Sequence, residues 1–224
     1  MIKAILFDLF ETLVTESEVQ PTRASSLGEK LGVEPQAFRS HWRIRRPRVI
    51  LGQLSLAEAL ADICNSLAGR ADTTAIQRIC EQRIGEKTAV FDRIRDDVAA
   101  LFTDLTNRGI GLGVISNCFD EDVRAWPVCS LARQVGCTVF SFAEGVAKPD
   151  AEIYRLAARR LGIEATSAVF IGDGGDDELV GAERAGLRAF RAVWFSTAGG
   201  QRGAGSTQSD LVSTQDVLEL VAAG

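Results

Sequence analysis

A single histidine, His41, and five cysteines with no closely spaced pair leave this chain without the ligand pattern of a zinc knuckle. A thiolate–imidazole nucleophile is poorly served as well, because the thiol nearest the acid-rich segments is Cys118 and His41 lies far from it in sequence. His41 is read as structural or exposed, and Cys118 as a buried spectator. An odd cysteine count does not suit a disulfide framework and points to reduced thiols in a cytoplasmic protein. No apolar run is long enough to span a bilayer, and Met1-Ile2-Lys3-Ala4-Ile5 does not read as a secretory leader. Positive charge is not in excess: 25 Lys and Arg stand against 30 Asp and Glu, for a net charge of −5. Nothing at the whole-chain level therefore asks for nucleic acid or an anionic membrane. Internal repeats are missing too.

What is present is an ordinary globular balance, 46% hydrophobic and 25% charged, in 224 residues that fit one large domain or one domain with a sizeable insertion. Strand-like runs recur at 4–7, 112–115, 139–142, 168–171 and 189–194, with helical patterns at 97–107, 121–135, 151–161 and 176–185 between them. Gly109, Gly162 and Gly186 each close a segment. Alternation of this kind predicts an α/β fold with a parallel sheet covered on both faces. Residues from about 15 to 92 break the rhythm, with helices expected at 22–31, 35–46, 55–67 and 73–86 and a capping box from Ser55 to Glu58. The predicted division is a core of 1–15 plus 93–224 and an inserted all-helical domain of 16–92. Residues 199–210, rich in Gly, Ser and Gln, read as a mobile surface loop before a final helix at 214–222.

Ligands of open parallel sheets bind beyond the carboxyl ends of the strands. The first strand delivers Asp8 into Leu9-Phe10-Glu11-Thr12, and the second ends in Ser116-Asn117. The third is followed by Lys148-Pro149 and the fourth runs into Gly172-Asp173-Gly174-Gly175-Asp176-Asp177-Glu178. A nucleophilic carboxylate, hydroxyl and amide donors, a lysine and an acidic cluster thus converge on one sheet edge. Phosphoryl transfer asks for such an assortment, since negative charge on the equatorial oxygens must meet a cation and donors. A hard dication such as Mg2+ suits Asp8 with Asp173 and one further carboxylate. Gly172-Asp173-Gly174-Gly175 is rejected as a dinucleotide fingerprint, because the third glycine of that pattern would fall on Asp177 and the segment follows a late strand.

These four segments resemble, in order and spacing, the four motifs of the haloacid dehalogenase superfamily, over roughly residues 1–15 and 94–195. The resemblance implies a Rossmann-like core with a helical cap inserted between the first two motifs. It implies Asp8 as nucleophile and metal ligand, Thr12 as a hydrogen-bonding group of the loop, Ser116 and Lys148 as holders of the phosphoryl oxygens beside Asn117, and Asp173 as a direct metal ligand. Phe10 offers its backbone carbonyl to the metal. Asp177 is favoured as the last ligand over Glu178, one residue on, because a shorter carboxylate is the usual choice. Asp176 is read as a helix cap as readily as a ligand.

Phe10 departs from the pattern: phosphatases of the superfamily carry there a second Asp that protonates the leaving group and activates water. General acid–base help of that kind is worth roughly 10²- to 10⁴-fold, and Glu11 is expected to point elsewhere. The leading reading is a Mg2+-dependent phosphatase acting on a small phosphorylated metabolite. A 2-haloacid dehalogenase-like enzyme, whose halide leaves without a proton, is the alternative, and a non-catalytic binding protein of the same fold is third. The basic stretch 39–48 is read either as a solvated helix face or as an anion-attracting surface with Arg45 or Arg46 as a clamp. Partners are thus a small anionic substrate, with no nucleic acid and no membrane. Trp126 and Pro127 interrupt the helix after the second motif and suit a subunit contact, so monomer and homodimer both stay open.

Overall fold

The computed structural model describes residues 1–19, 21–23, 27–195 and 209–223. Six parallel strands form one sheet: β1 (Ala4–Phe7), β2 (Gly111–Ser116), β3 (Cys137–Phe140), β4 (Ala168–Gly172), β5 (Arg188–Ala192) and β6 (Asp210–Leu211). Their order is β3-β2-β1-β4-β5-β6, so the chain leaves β1 toward one side and later returns to its other side at β4. That reversal opens a crevice at the carboxyl ends of β1 and β4. Every residue of β1 is buried. Ile5 and Phe7 join one hydrophobic cluster and Leu6 another, which is the two-residue alternation of a strand covered on both faces. The first face is covered by α4 (Asp96–Asn107) and α9 (Thr214–Ala223), the second by α7 (Ala151–Arg160) and α8 (Glu178–Arg184).

Between β1 and α4 stand α1 (Pro35–Ile50), α2 (Leu56–Ala68) and α3 (Thr73–Phe91). They bury a cluster of their own, including Phe38, Trp42, Leu60 and Ile79, which Phe119 joins from the loop after β2. The Ser55–Glu58 capping box starts α2, with Glu58 N donating to Ser55 Oγ at 3.1 Å and Ser55 N donating to Glu58 Oε2 at 2.8 Å.

Several element boundaries differ from the sequence expectation. The helix expected at 22–31 is, among the described residues, only a 3-10 turn at Glu29–Leu31. Its intended start is tied elsewhere, since the backbone N and the Oγ1 of Thr22 both donate to the Glu86 carboxylate. The helix expected at 121–135 breaks into α5 (Asp120–Val123) and two 3-10 turns, because Pro127 has no N–H to continue it. The third strand ends two residues early, at Phe140: the hydroxyl of the buried Ser141, first residue of α6 (Ser141–Glu144), accepts from Cys118 N at 3.1 Å. β6 has no counterpart in the sequence expectation, and most of the loop expected at 199–210 lies outside the described residues. All five cysteines are free, and no helix among the described residues is long and apolar enough to cross a membrane.

Candidate active site

Asp8 follows β1 directly, and its backbone N donates to Ile171 O of β4 at 2.8 Å, fixing it at the crevice. The loop behind it is tight: Leu13 and Val14 both donate to Leu9 O, and Glu11 adopts a left-handed φ of 58°. Such a backbone costs a β-carbon-bearing residue about 1 kcal/mol, offset here by bonds to the Glu11 carboxylate from Thr15 Oγ1 (2.9 Å) and Glu16 N (2.8 Å). Those bonds aim Glu11 along its own loop. Burial pushes its pKa up, and Asp173 adds to the rise.

Lys148 lies at the centre. Its ammonium is buried and bonds both Asp8 Oδ1 and Glu178 Oε2, the latter at 2.5 Å. Asn117 sets its position through the backbone: Nδ2 donates to Lys148 O and Oδ1 accepts from Lys148 N, each at 2.8 Å. Asn117 is therefore a positioning residue for the lysine. Thr12, fully buried, makes a long 3.5 Å contact from Oγ1 to Asp8 Oδ2, and Ser116 is buried at the end of β2.

Glu178, not Asp177, completes the acidic group. One carboxylate oxygen from each of Asp8, Asp173 and Glu178 lies within 4.8 Å of the others. Asp177 is exposed and outside this group, with a left-handed φ of 54° at the start of α8. The reason is steric. Gly172 lets the longer side chain fold back under the loop, where a β-carbon at 172 would stand 2.1 Å from Glu178 Oε1. That oxygen accepts from Gly174 N at 2.9 Å, and Tyr154 Oη donates to the Glu178 backbone O at 2.6 Å. The two glycines were the available signal for this placement. Asp176, also exposed, makes a 3.7 Å contact with Arg46.

Burial pushes the Asp8 carboxyl above its ordinary range against the opposing pull of Lys148, and Asp173 pushes the same way as burial. Burial likewise raises Glu178, to about 8. Lys148 is lowered by burial, but Asp8 and Glu178 together outweigh this and raise it. Three carboxylates against one ammonium leave the group short of positive charge. An all-oxygen donor set suits a hard dication such as Mg2+ better than a soft metal. Burial also raises the Cys118 thiol well above its ordinary range, which removes it as a nucleophile.

Phe10 is half-buried, edge-on to Phe91 at 6.2 Å, with the Lys87 ammonium 4.2 Å from its ring centre. It lines a cleft of about 540 Å³ between the helical block and the segments that follow β1 and β2, together with Asn117, Phe119, Trp42 and Arg46. Arg45 does not line it: that guanidinium pairs with Asp62 at 2.7 Å and reaches Ser66 on α2. Arg83 and Lys87 on α3 do, and no sequence motif singled them out; their i, i+4 spacing on the helix was the only signal.

A family model described as haloacid dehalogenase-like hydrolase matches residues 2–186. The phosphoserine phosphatase of Thermus thermophilus is 25% identical over 223 residues, covering 86% of this chain and 88% of that protein. Among solved structures, a 2-haloacid dehalogenase from Pseudomonas syringae pv. Tomato DC3000 superposes with a TM-score of 0.72 at 24% identity, over 100% of this chain and 99% of the other. A HAD phosphatase from Thermococcus onnurineus does so with a TM-score of 0.66 at 19% identity, over 98% of each chain. At these identities the structural likeness is one of fold.

Proposed function

The chain belongs to the haloacid dehalogenase-like hydrolase family, and from that premise we propose that it is a Mg2+-dependent phosphohydrolase acting on a small phosphorylated metabolite. The observation that carries this reading is the convergence of Asp8, Asp173 and Glu178 oxygens within 4.8 Å around a site with a single buried ammonium. In this reading Asp8 attacks phosphorus as the bond to the leaving oxygen breaks, giving an aspartyl phosphate that water then hydrolyses. Lys148 holds Asp8 in line and donates to phosphoryl oxygens, with Ser116 beside it and Asn117 fixing the lysine backbone. Thr12 steadies the second oxygen of Asp8. Asp8, Asp173 and Glu178, with the Phe10 carbonyl, would hold Mg2+, which when bound would supply positive charge against that of the transferring group. Residues 16–92 serve as a cap that shapes the cleft, and the protein works in the cytoplasm, where its thiols stay reduced.

Phe10 supplies no proton, so this reading favours good leaving groups such as acyl phosphates. The same residue favours a second reading, carbon–halogen hydrolysis, in which halide leaves unprotonated. Three carboxylates disfavour it, since without a metal they repel a haloacid carboxylate. Purified protein is to be assayed on p-nitrophenyl phosphate, acetyl phosphate and L-2-chloropropionate, with Mg2+ and with EDTA. Mg2+-stimulated phosphate release, abolished by Asp8→Asn, is the expected result. Chloride release indifferent to EDTA would overturn it.

A further inference from the structure

The cleft beside the site holds more positive charge than its own acids neutralise. Two of its cations are satisfied internally. Arg83, buried on α3, pairs with the buried Asp122 at 2.7 Å and donates to Thr22 O at 3.1 Å. Lys87 pairs with Glu16 and lies 3.9 Å from Asp122. Asp122 and Glu16 are the acids lining the cleft, and both are thereby committed.

Three further guanidiniums line it from α1: Arg39, Arg43 and Arg46. Their spacing of four and then three residues places them on one helix face, and Phe10 and Asn117 line the same cleft. Arg39 and Arg43 have no carboxylate within ion-pair distance among the described residues. The acid that senses Arg39, Glu34, is held by the α1 N-terminus through Gln36 N and Ala37 N. Arg46 meets only Asp176, at 3.7 Å with both side chains about half exposed, a contact worth little in solvent. In a protein of net charge −5, three guanidiniums on one helix face, two without an ion-pair partner among the described residues and the third with a long, exposed one, do not follow from composition. Trp42 and Phe119, buried with ring centres 5.8 Å apart, add apolar surface to the same lining.

We propose that the substrate carries a second anionic group, a carboxylate or a phosphate remote from the transferring one, and that Arg39, Arg43 and Arg46 bind it. The assignment rests on the reading of Asp8 and Lys148 as the phosphoryl-handling end. A guanidinium fork matches either oxyanion, so arginine rather than lysine at all three positions suits planar, bidentate recognition. The cleft, of about 540 Å³, has room for a small metabolite, and Phe10 and Asn117, sequence neighbours of the Asp8 and Ser116 strand ends, are part of its lining.

The test uses matched probes that differ in the remote group: glycerol 3-phosphate against 3-phosphoglycerate, and fructose 6-phosphate against fructose 1,6-bisphosphate. Calorimetric titration of the Asp8→Asn protein in excess Mg2+ reads binding apart from turnover. The anion-bearing member of at least one pair is expected to bind roughly 10- to 100-fold tighter, and which pair responds identifies carboxylate or phosphate. Adding Arg39→Gln, Arg43→Gln and Arg46→Gln should erase that preference and leave the melting temperature unchanged, since these side chains are exposed. Equal affinity within both pairs overturns the proposal, as does a preference that survives the three Gln substitutions. If the wild-type enzyme releases phosphate from neither acetyl phosphate nor p-nitrophenyl phosphate while an arginine-dependent preference persists, the phosphohydrolase reading fails and the remote-anion assignment stands.

Discussion

Replacing Lys148 by Met retains an unbranched side chain of similar length and removes the one ammonium that touches both Asp8 and Glu178. Both carboxylates hold their protons more tightly in the folded protein than at their ordinary values of 3.8 and 4.5, because burial outweighs the lysine. Folding therefore takes up protons there. The stability linked to these groups is full below those ordinary values and is lost as pH rises through the folded ones, about 8 for Glu178. The Lys148→Met substitution removes the opposing influence and moves both folded values higher still. Stripping one partner from a buried ion pair costs about 3–5 kcal/mol, a large part of a typical stability of about 5–15 kcal/mol. Urea unfolding with divalent cations chelated should show a deficit of about 3–5 kcal/mol at pH 8. At pH 5, where proton uptake on folding relieves the unpaired negative charge of the variant, the deficit should be smaller than at pH 8. A deficit below about 1 kcal/mol at pH 8, or one indifferent to pH, would refute the assignment of Lys148 as the charge that holds these acids.

Two further outcomes are specific. Phe10→Asp places a carboxylate under the Lys87 ammonium, 4.2 Å from the present ring centre; kcat/KM on an alkyl phosphate should rise by about 10²-fold or more and by less on p-nitrophenyl phosphate, and no change on either would mean that Phe10 does not limit the chemistry. Gly172→Ala sets a methyl 2.1 Å from Glu178 Oε1 and 2.9 Å from the Phe170 ring, so it should cost about 1–3 kcal/mol and cut the rise in melting temperature that Mg2+ produces, whereas an unchanged Mg2+ effect would separate Glu178 from the cation.

The parallel core was legible because β1, β2 and β4 are buried on both faces and their sequences are near-continuous apolar runs. Asp8, Ser116, Lys148 and Asp173 could be singled out for a related reason, since each lies at the end of a strand or in the connection that follows one. What escaped the sequence was tertiary. Thr22 forgoes a helix for Glu86, sixty-four residues away, and no local pattern encodes that bond. Choosing Asp177 over Glu178 weighed side-chain length alone, while the outcome turned on the missing β-carbon of Gly172. Arg45 and Arg46 are adjacent in one basic run, yet helix geometry sends the first to Asp62 on α2 and the second into the cleft.

α3 has a mechanical consequence. Its early residues Ile76 and Ile79 belong to the cluster of the helical block, whereas Val90 and Phe91 at its far end are embedded in the core beneath the sheet. One stiff rod of nineteen residues thus spans both bodies. It carries Lys87 and Phe91, the two groups seated on Phe10. A swing of the helical block rigid enough to widen the cleft would act through this lever on Phe10, two residues from Asp8. Opening of the cleft would thus be tied to the posture of the loop after β1.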